Sequence, residues 1–450
     1  MSAAPPLQVA DDDLALLTDL YQLTMLQAYW KEGLRERATF SLYFRKLPDT
    51  RRFMLACGQQ HAATVASRLR FQPHHLERLA ATGQFEAEFL AWLGEWRFSG
   101  DIWTLPEGTP VFPNQPLLEV EAPIAEAQLL ESLIMNLVQL ETLLASKAVR
   151  LVLAADGRPL VDFGMRRMHG IDAAMRGVRA YRNAGLAGTS NVLGGLRHDL
   201  PLRGTMAHSY ILAHDSEREA FRTFLRHYPG TTLLVDTYDT LDGVRDLIAL
   251  LDAEPELRLG AIRLDSGDLG ELAQASRRLL DAAGHTQVKI VASSGLDEHK
   301  IAALVAQGAP IDVFGVGTQL GASADAPVID LSYKLVEYAG TPRSKRSPGK
   351  LNLPGRKQVY RRLDERGQLA GDTLALRDEA PPPGTPLLVA LVEGGRLDAE
   401  QVALAEQAPQ RVAETLERLP ASLRTLENGE SGYPLTLAPA LARLAERHRR

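Results

Sequence analysis

Residues 159–170 read PLVDFGMRRMHG, an apolar run through Leu160 and Val161 that breaks into Asp162, Gly164 and the adjacent Arg166 and Arg167. A buried strand that passes into a helix through such a turn carries its polar residues at its carboxyl end, where α/β folds bind ligands. Guanidinium groups stay charged at physiological pH and match phosphate and carboxylate geometry, although two arginines at a helix start also suit an ordinary surface. Recurrence decides between these readings.

From Pro159 to Leu320 strand candidates alternate with helical segments: PLVDFG before residues 172–183, LAGTSN, LRGTMAHS, TTLLVDT before 241–251, GAIRLDSGD before 269–283, VKIVASSG before 298–307, then IDVFGVGT. Near-continuous apolar strands in β-then-α units indicate a parallel sheet, and about seven units in about 160 residues favour a closed or nearly closed barrel. Each unit ends in polar or small residues: Asp162 and Arg166; Ser190 and Asn191; His208 and Ser209; Asp236 and Asp239; Arg263, Asp265 and Asp268; Ser293 and Ser294; Gly315, Gly317 and Thr318. These groups should converge on one face.

Upstream, Met1–Asp13 reads as a disordered acidic tail, and residues 14–31 as one apolar helix capped by Gly33, buried against the core or a second subunit. Residues 37–47 alternate as a strand ending in Arg45, and residues 59–98 form helices interrupted at Pro73 and Gly83. A small antiparallel sheet over 101–122 and a long helix to Ala155 follow. The expected divisions are a tail to 13, a mixed α+β domain over 14–157, the barrel over 158–324, and a C-terminal segment over 325–450 that returns to the mixed domain and ends in helices.

The chain has 450 residues, 45% of them hydrophobic, enough for two or three domains. A net charge of -6 and a pI near 6.0 argue against a nucleic-acid binder, so the local basic runs call for a small anion. Cys57 is the sole cysteine, which excludes an internal disulfide and fits a reducing compartment, the cytoplasm. No apolar run approaches the ~18 residues of a membrane span.

Two glycines and a threonine directly after a strand, Gly315, Gly317 and Thr318, suit a phosphate, because glycine lets backbone N–H groups come close. Asp236 and Asp265 close adjacent strands and suit a Mg²⁺ ion shared with substrate phosphates. Asp268 reads as a helix N-cap, and Arg263, two residues before Asp265, shares its strand face. His208, the one histidine of eleven in the series, could be a base, a metal ligand or a nucleophile toward phosphate.

The stretches DLYQLTM, VDFGMRRMHG, AGTSNV, GTMAHS, VDTYDT, IRLDSGDL, FGVGTQL and KRSPGKLNLPGRKQVYR occur in the order found in the nicotinate phosphoribosyltransferase family, which the chain resembles from about Leu14 to Arg362. The resemblance implies an incomplete α/β barrel joined to a mixed α+β domain built from the N- and C-terminal parts of the chain, in a homodimer with shared active sites. It implies conversion of nicotinate and 5-phosphoribosyl 1-pyrophosphate to nicotinate mononucleotide and pyrophosphate, with Mg²⁺ as cofactor and ATP as co-substrate. Phe163 matches a ring that stacks on the pyridine, and Tyr21 the opposing ring from the other subunit. Arg166 and, across the dimer, Arg45 match phosphate ligands. Arg263 matches the pyridine-side arginine, Asp236 and Asp265 the ribose and magnesium region, and Gly315, Gly317 and Thr318 the 5-phosphate loop. His208 matches the histidine phosphorylated by ATP. Ser190 stands where the related nicotinamide enzyme has an aspartate; a hydroxyl can donate to a substrate carboxylate that an aspartate would repel. The competing readings are that nicotinamide enzyme, a non-catalytic phosphate-binding barrel, and a Schiff-base aldolase. The last is disfavoured because Lys289, the one lysine near these strands, begins its strand instead of ending it.

Overall fold

A computed structural model of the protein describes residues 9–345, 352–429 and 431–449. The chain divides into two compact units, one comprising residues up to 146 and from 328 onward, the other residues 147–327.

In the first unit, Arg37–Phe44 runs antiparallel between Leu118–Pro123 and Leu331–Tyr338, while Asp101–Thr104 pairs with Val389–Glu393. These strands belong to one seven-stranded sheet, so the two chain ends share a core that includes Leu26, Phe40, Phe89 and Ile102. The small sheet expected over 101–122 is thus mostly the middle of a larger one, because its partners lie far away in sequence. A second, four-stranded sheet joins Thr385–Pro386, Lys357–Leu363, Leu369–Leu376 and Leu435–Leu437. On it the buried Arg361 forks onto Asp372, with bonds of 3.0 and 2.7 Å, and Tyr433 donates to the same carboxylate at 2.9 Å.

The N-terminal segment differs from its reading. Residues 1–8 lie outside the described residues, but Asp11–Leu16 is a 3-10 helix and the α-helix starts only at Leu20. The fully buried His75 accepts the Gln72 N–H on Nδ1 and so donates from Nε2 to Asp13 at 3.0 Å, which fixes the segment. That tautomer leaves Nε2 no lone pair for a metal, although Asp13, His74 and His75 gather there. Residues 124–155 form two helices, Ile124–Leu129 and Glu131–Ala155.

The second unit holds six parallel strands: β1 (Leu160–Asp162), β2 (Gly188–Thr189), β3 (Thr231–Leu234), β4 (Leu259–Leu264), β5 (Lys289–Ala292) and β6 (Val313–Val316), in spatial order β2-β1-β6-β5-β4-β3. Ile262, Ile290 and Phe314 are fully buried and alternate with residues that face the barrel interior. The barrel is incomplete because LRGTMAHS forms no strand. Only Leu202 makes a parallel bridge, to Thr189, and Thr205 Oγ1 donates to the Thr232 carbonyl of β3 in place of a backbone ladder. No described helix is long and apolar enough to cross a membrane.

Candidate active site

The site residues of the second unit stand at the carboxyl ends of its strands. At the end of β1 the buried Asp162 accepts the Gly164 N–H and the Thr189 hydroxyl, both at 2.7 Å, tying β1 to β2; burial raises its pKa. This carboxylate therefore shapes the turn from beneath while Arg166 and Arg167 stay exposed; Arg167 reaches Thr318 at 3.4 Å.

Phe163 leans over the neighbouring strand β6. A Cβ at Gly315 would sit 2.5 Å from the ring, so this position must lack a side chain for the ring to lie there. Arg263, at the end of β4, holds its guanidinium carbon 5.4 Å from the centre of the same ring. Its fork is oriented by Ser293 at 2.8 Å and Asp265 at 2.7 Å, and the Ser293 hydroxyl donates to Asp265 at 2.5 Å. An aromatic face with an aligned guanidinium can receive a flat ring bearing a carboxylate.

Asp236 and Asp265 end the paired strands β3 and β4, as expected. Asp236 Oδ2 accepts the Asp265 N–H at 2.9 Å and the Ser266 hydroxyl at 2.6 Å, whereas its buried Oδ1 has no partner. An orphaned anionic oxygen in that position fits a cation, so these two aspartates could hold Mg²⁺. His208 opens the short helix His208–Leu212, and its Nδ1 lies 3.1 Å from Thr237 Oγ1. Asp268 caps the helix Leu269–Ala282 by accepting from Gly270 and Glu271. Ser190 is exposed just after β2, its N–H bonded to Asp162.

Two predicted residues belong to the first unit. Tyr21 is 48% exposed, not a core residue of its helix. Arg45 bonds the Ser332 hydroxyl at 2.6 Å and the Tyr43 hydroxyl at 3.3 Å. Of the basic run at 343–357, Arg346 and Lys350 lie outside the described residues; Lys357 is buried against Glu119.

Sequence reading missed Thr237 as a neighbour of His208 and did not foresee a buried charge cluster. Lys147 bonds Glu298 at 2.5 Å and Asp325 at 2.8 Å, and Arg150 bonds Glu298 at 2.8 Å. Glu298 opens the helix after the β5 loop, and Asp325 follows the β6 loop, so one lysine ties down the chain behind both.

An incomplete α/β barrel with an aromatic–arginine pair, paired aspartates and a glycine loop at its strand ends defines a barrel enzyme of the phosphoribosyltransferase class. Residues 16–139 match the nicotinate phosphoribosyltransferase N-terminal domain, and residues 159–340 match the nicotinate phosphoribosyltransferase family. The chain is 49% identical over 430 residues to a nicotinate phosphoribosyltransferase of Mycobacterium tuberculosis, spanning 94% of this chain and 91% of the relative. It is 40% identical over 379 residues to the Bacillus subtilis nicotinate phosphoribosyltransferase, spanning 82% and 77% of the two chains. The crystal structure of human nicotinic acid phosphoribosyltransferase superposes with a TM-score of 0.83 at 28% identity, over 96% of this chain and 99% of that one. The chain belongs to the nicotinate phosphoribosyltransferase family.

Proposed function

We propose that the protein transfers the phosphoribosyl group of 5-phosphoribosyl 1-pyrophosphate to nicotinate, yielding nicotinate mononucleotide and pyrophosphate for NAD salvage, with ATP hydrolysed through a phosphohistidine at His208. The observation that carries this reading, beside family membership, is Arg263 poised over Phe163 with its fork fixed by Asp265 and Ser293.

In this reading Phe163 supports the pyridine face, Arg263 pairs with the carboxylate, and the Ser190 hydroxyl donates to it. The ring nitrogen bonds to ribose C1 as the bond from C1 to the pyrophosphate oxygen breaks. Arg166, Gly315, Gly317 and Thr318 hold phosphate groups throughout. Mg²⁺, when bound, would offset charge developing on the departing pyrophosphate; Asp236 and Asp265 would hold it. The protein acts as a homodimer in which Tyr21 and Arg45 of the partner subunit complete each site. The exposure of Tyr21 supports this role, and Arg45 would exchange its Ser332 contact for phosphate.

The test is mononucleotide formation from phosphoribosyl pyrophosphate with nicotinate or nicotinamide, each with and without ATP, resolved by chromatography. ATP-stimulated turnover of nicotinate is expected. Turnover of nicotinamide alone would overturn the substrate assignment, and no turnover of either would leave a binding protein.

A further inference from the structure

The interior of the second unit's barrel is hollow. A cavity of about 460 Å³ runs from Phe163 and Arg263 at the strand ends to Gly204, Gly230 and Gly260 at the opposite end. Barrel interiors are ordinarily filled by layers of branched side chains. Here Ala187 and Ala261 join the three glycines in the wall, while Val161, Val291 and Val313 line it without filling it.

Charge is distributed unevenly along this cavity. Three cations line it, Arg203, Arg263 and Lys289, and no aspartate or glutamate does. Arg263 is engaged by Asp265. Among the described residues neither Arg203 nor Lys289 has an ion-pair partner, and the nearby Asp312 is engaged by the Ile290 N–H at 2.7 Å. Lys289 shares its strand face with Val291, which is in register with Arg263, so its Cα lies one side-chain layer, roughly 7 Å, closer to the strand starts. Arg203 reaches the cavity across Gly188, where a Cβ would lie 2.5 Å from the arginine's Cγ. Glycine at 188 is thus the opening through which this cation enters.

We infer that the strand-start end of the barrel is a second anion position, formed by Lys289 and Arg203, that draws a small aromatic carboxylate such as nicotinate into the cavity and toward Arg263. The inference rests on the nicotinate reading above and deepens it, because an uncharged carboxamide would gain nothing from these cations. Discrimination would then begin before the substrate reaches Ser190. Arg203 and Lys289 are both exposed to solvent, so they act by steering the anion toward the cavity mouth, and added salt weakens that pull.

The experiment is equilibrium binding of labelled nicotinate and nicotinamide to the full-length protein and to Lys289→Gln and Arg203→Gln, at low and high ionic strength, with turnover assayed in parallel. Each substitution should weaken nicotinate binding about fivefold at low ionic strength, with the loss shrinking in high salt and nicotinamide binding unmoved. In turnover the change should fall on KM for nicotinate, not on KM for phosphoribosyl pyrophosphate. Unaltered nicotinate binding, or equal loss of both ligands, overturns the inference. Failure of the unsubstituted protein to turn over nicotinate sinks the functional reading instead, while the binding comparison still decides the role of the two cations.

Discussion

At the scale of single residues, Ser190 and His208 carry the most specific expectations. Ser190→Asp should lower the nicotinate-to-nicotinamide ratio of kcat/KM about tenfold or more, since a fixed carboxylate repels one substrate and accepts hydrogen bonds from the other. Equal losses for both would show only a damaged pocket. His208→Ala should abolish ATP stimulation while leaving the ATP-independent reaction measurable, and an enzyme still stimulated by ATP would remove the histidine from the mechanism. Glu217 gives a pH prediction. Burial first, then Asp246 and Asp236, raise its pKa to about 7 from an ordinary 4.5, and its Oε1 has no hydrogen-bond partner. The folded state therefore prefers the protonated acid: stability is full below the unfolded pKa and falls as pH rises from about 4.5 to about 7. Glu217→Gln should raise Tm on the order of 1 °C at alkaline pH and less at acid pH, read by calorimetry at both. The strand-end residues of the site were legible because their types announce anion chemistry. Thr237 and the orienting role of Ser293 were not, because each acts on a residue brought near by the fold, 29 and 30 positions away.

At the scale of elements, β6 and the helices behind it support the site. Gly315→Ala would push its Cβ into the Phe163 ring; we expect KM for nicotinate to rise about tenfold with the circular dichroism spectrum retained. A variant with unchanged KM would mean the ring does not seat the substrate. Lys147→Met takes the ammonium from between Glu298 and Asp325, leaving Arg150 as the remaining cation on Glu298, which should cost about 3 kcal/mol, seen as a lower midpoint in urea. Six of the seven barrel strands were readable because each is a short apolar run closed by polar residues. The seventh, LRGTMAHS, has the same polar ending, but Gly204 and a side-chain bond from Thr205 replace the ladder that the pattern implied. The four-stranded sheet near the C-terminus left little trace in sequence, since Thr385–Pro386 is a two-residue strand and Leu435–Leu437 finds its partner some sixty residues earlier.

At the scale of the whole molecule, the proposed shared-site homodimer can be tested by complementation. Two variants inactive for different reasons, Tyr21→Ala and Asp265→Asn, should recover about a quarter of wild-type activity when co-refolded, because half the dimers are mixed and each mixed dimer carries one intact site. No recovery would confine each site to one subunit. The composition of the first unit also has a consequence in time. Arg37–Phe44 needs Leu331–Tyr338 as a neighbour, and Asp101–Thr104 needs Val389–Glu393, yet residues 147–327 are made in between. At ribosomal rates of about 5–20 residues per second, the early strands wait about fifteen to sixty seconds with an unpaired edge. The barrel unit, contiguous in sequence, can fold during that interval. Newly made protein is therefore most vulnerable to edge-to-edge association during synthesis, before its last third emerges.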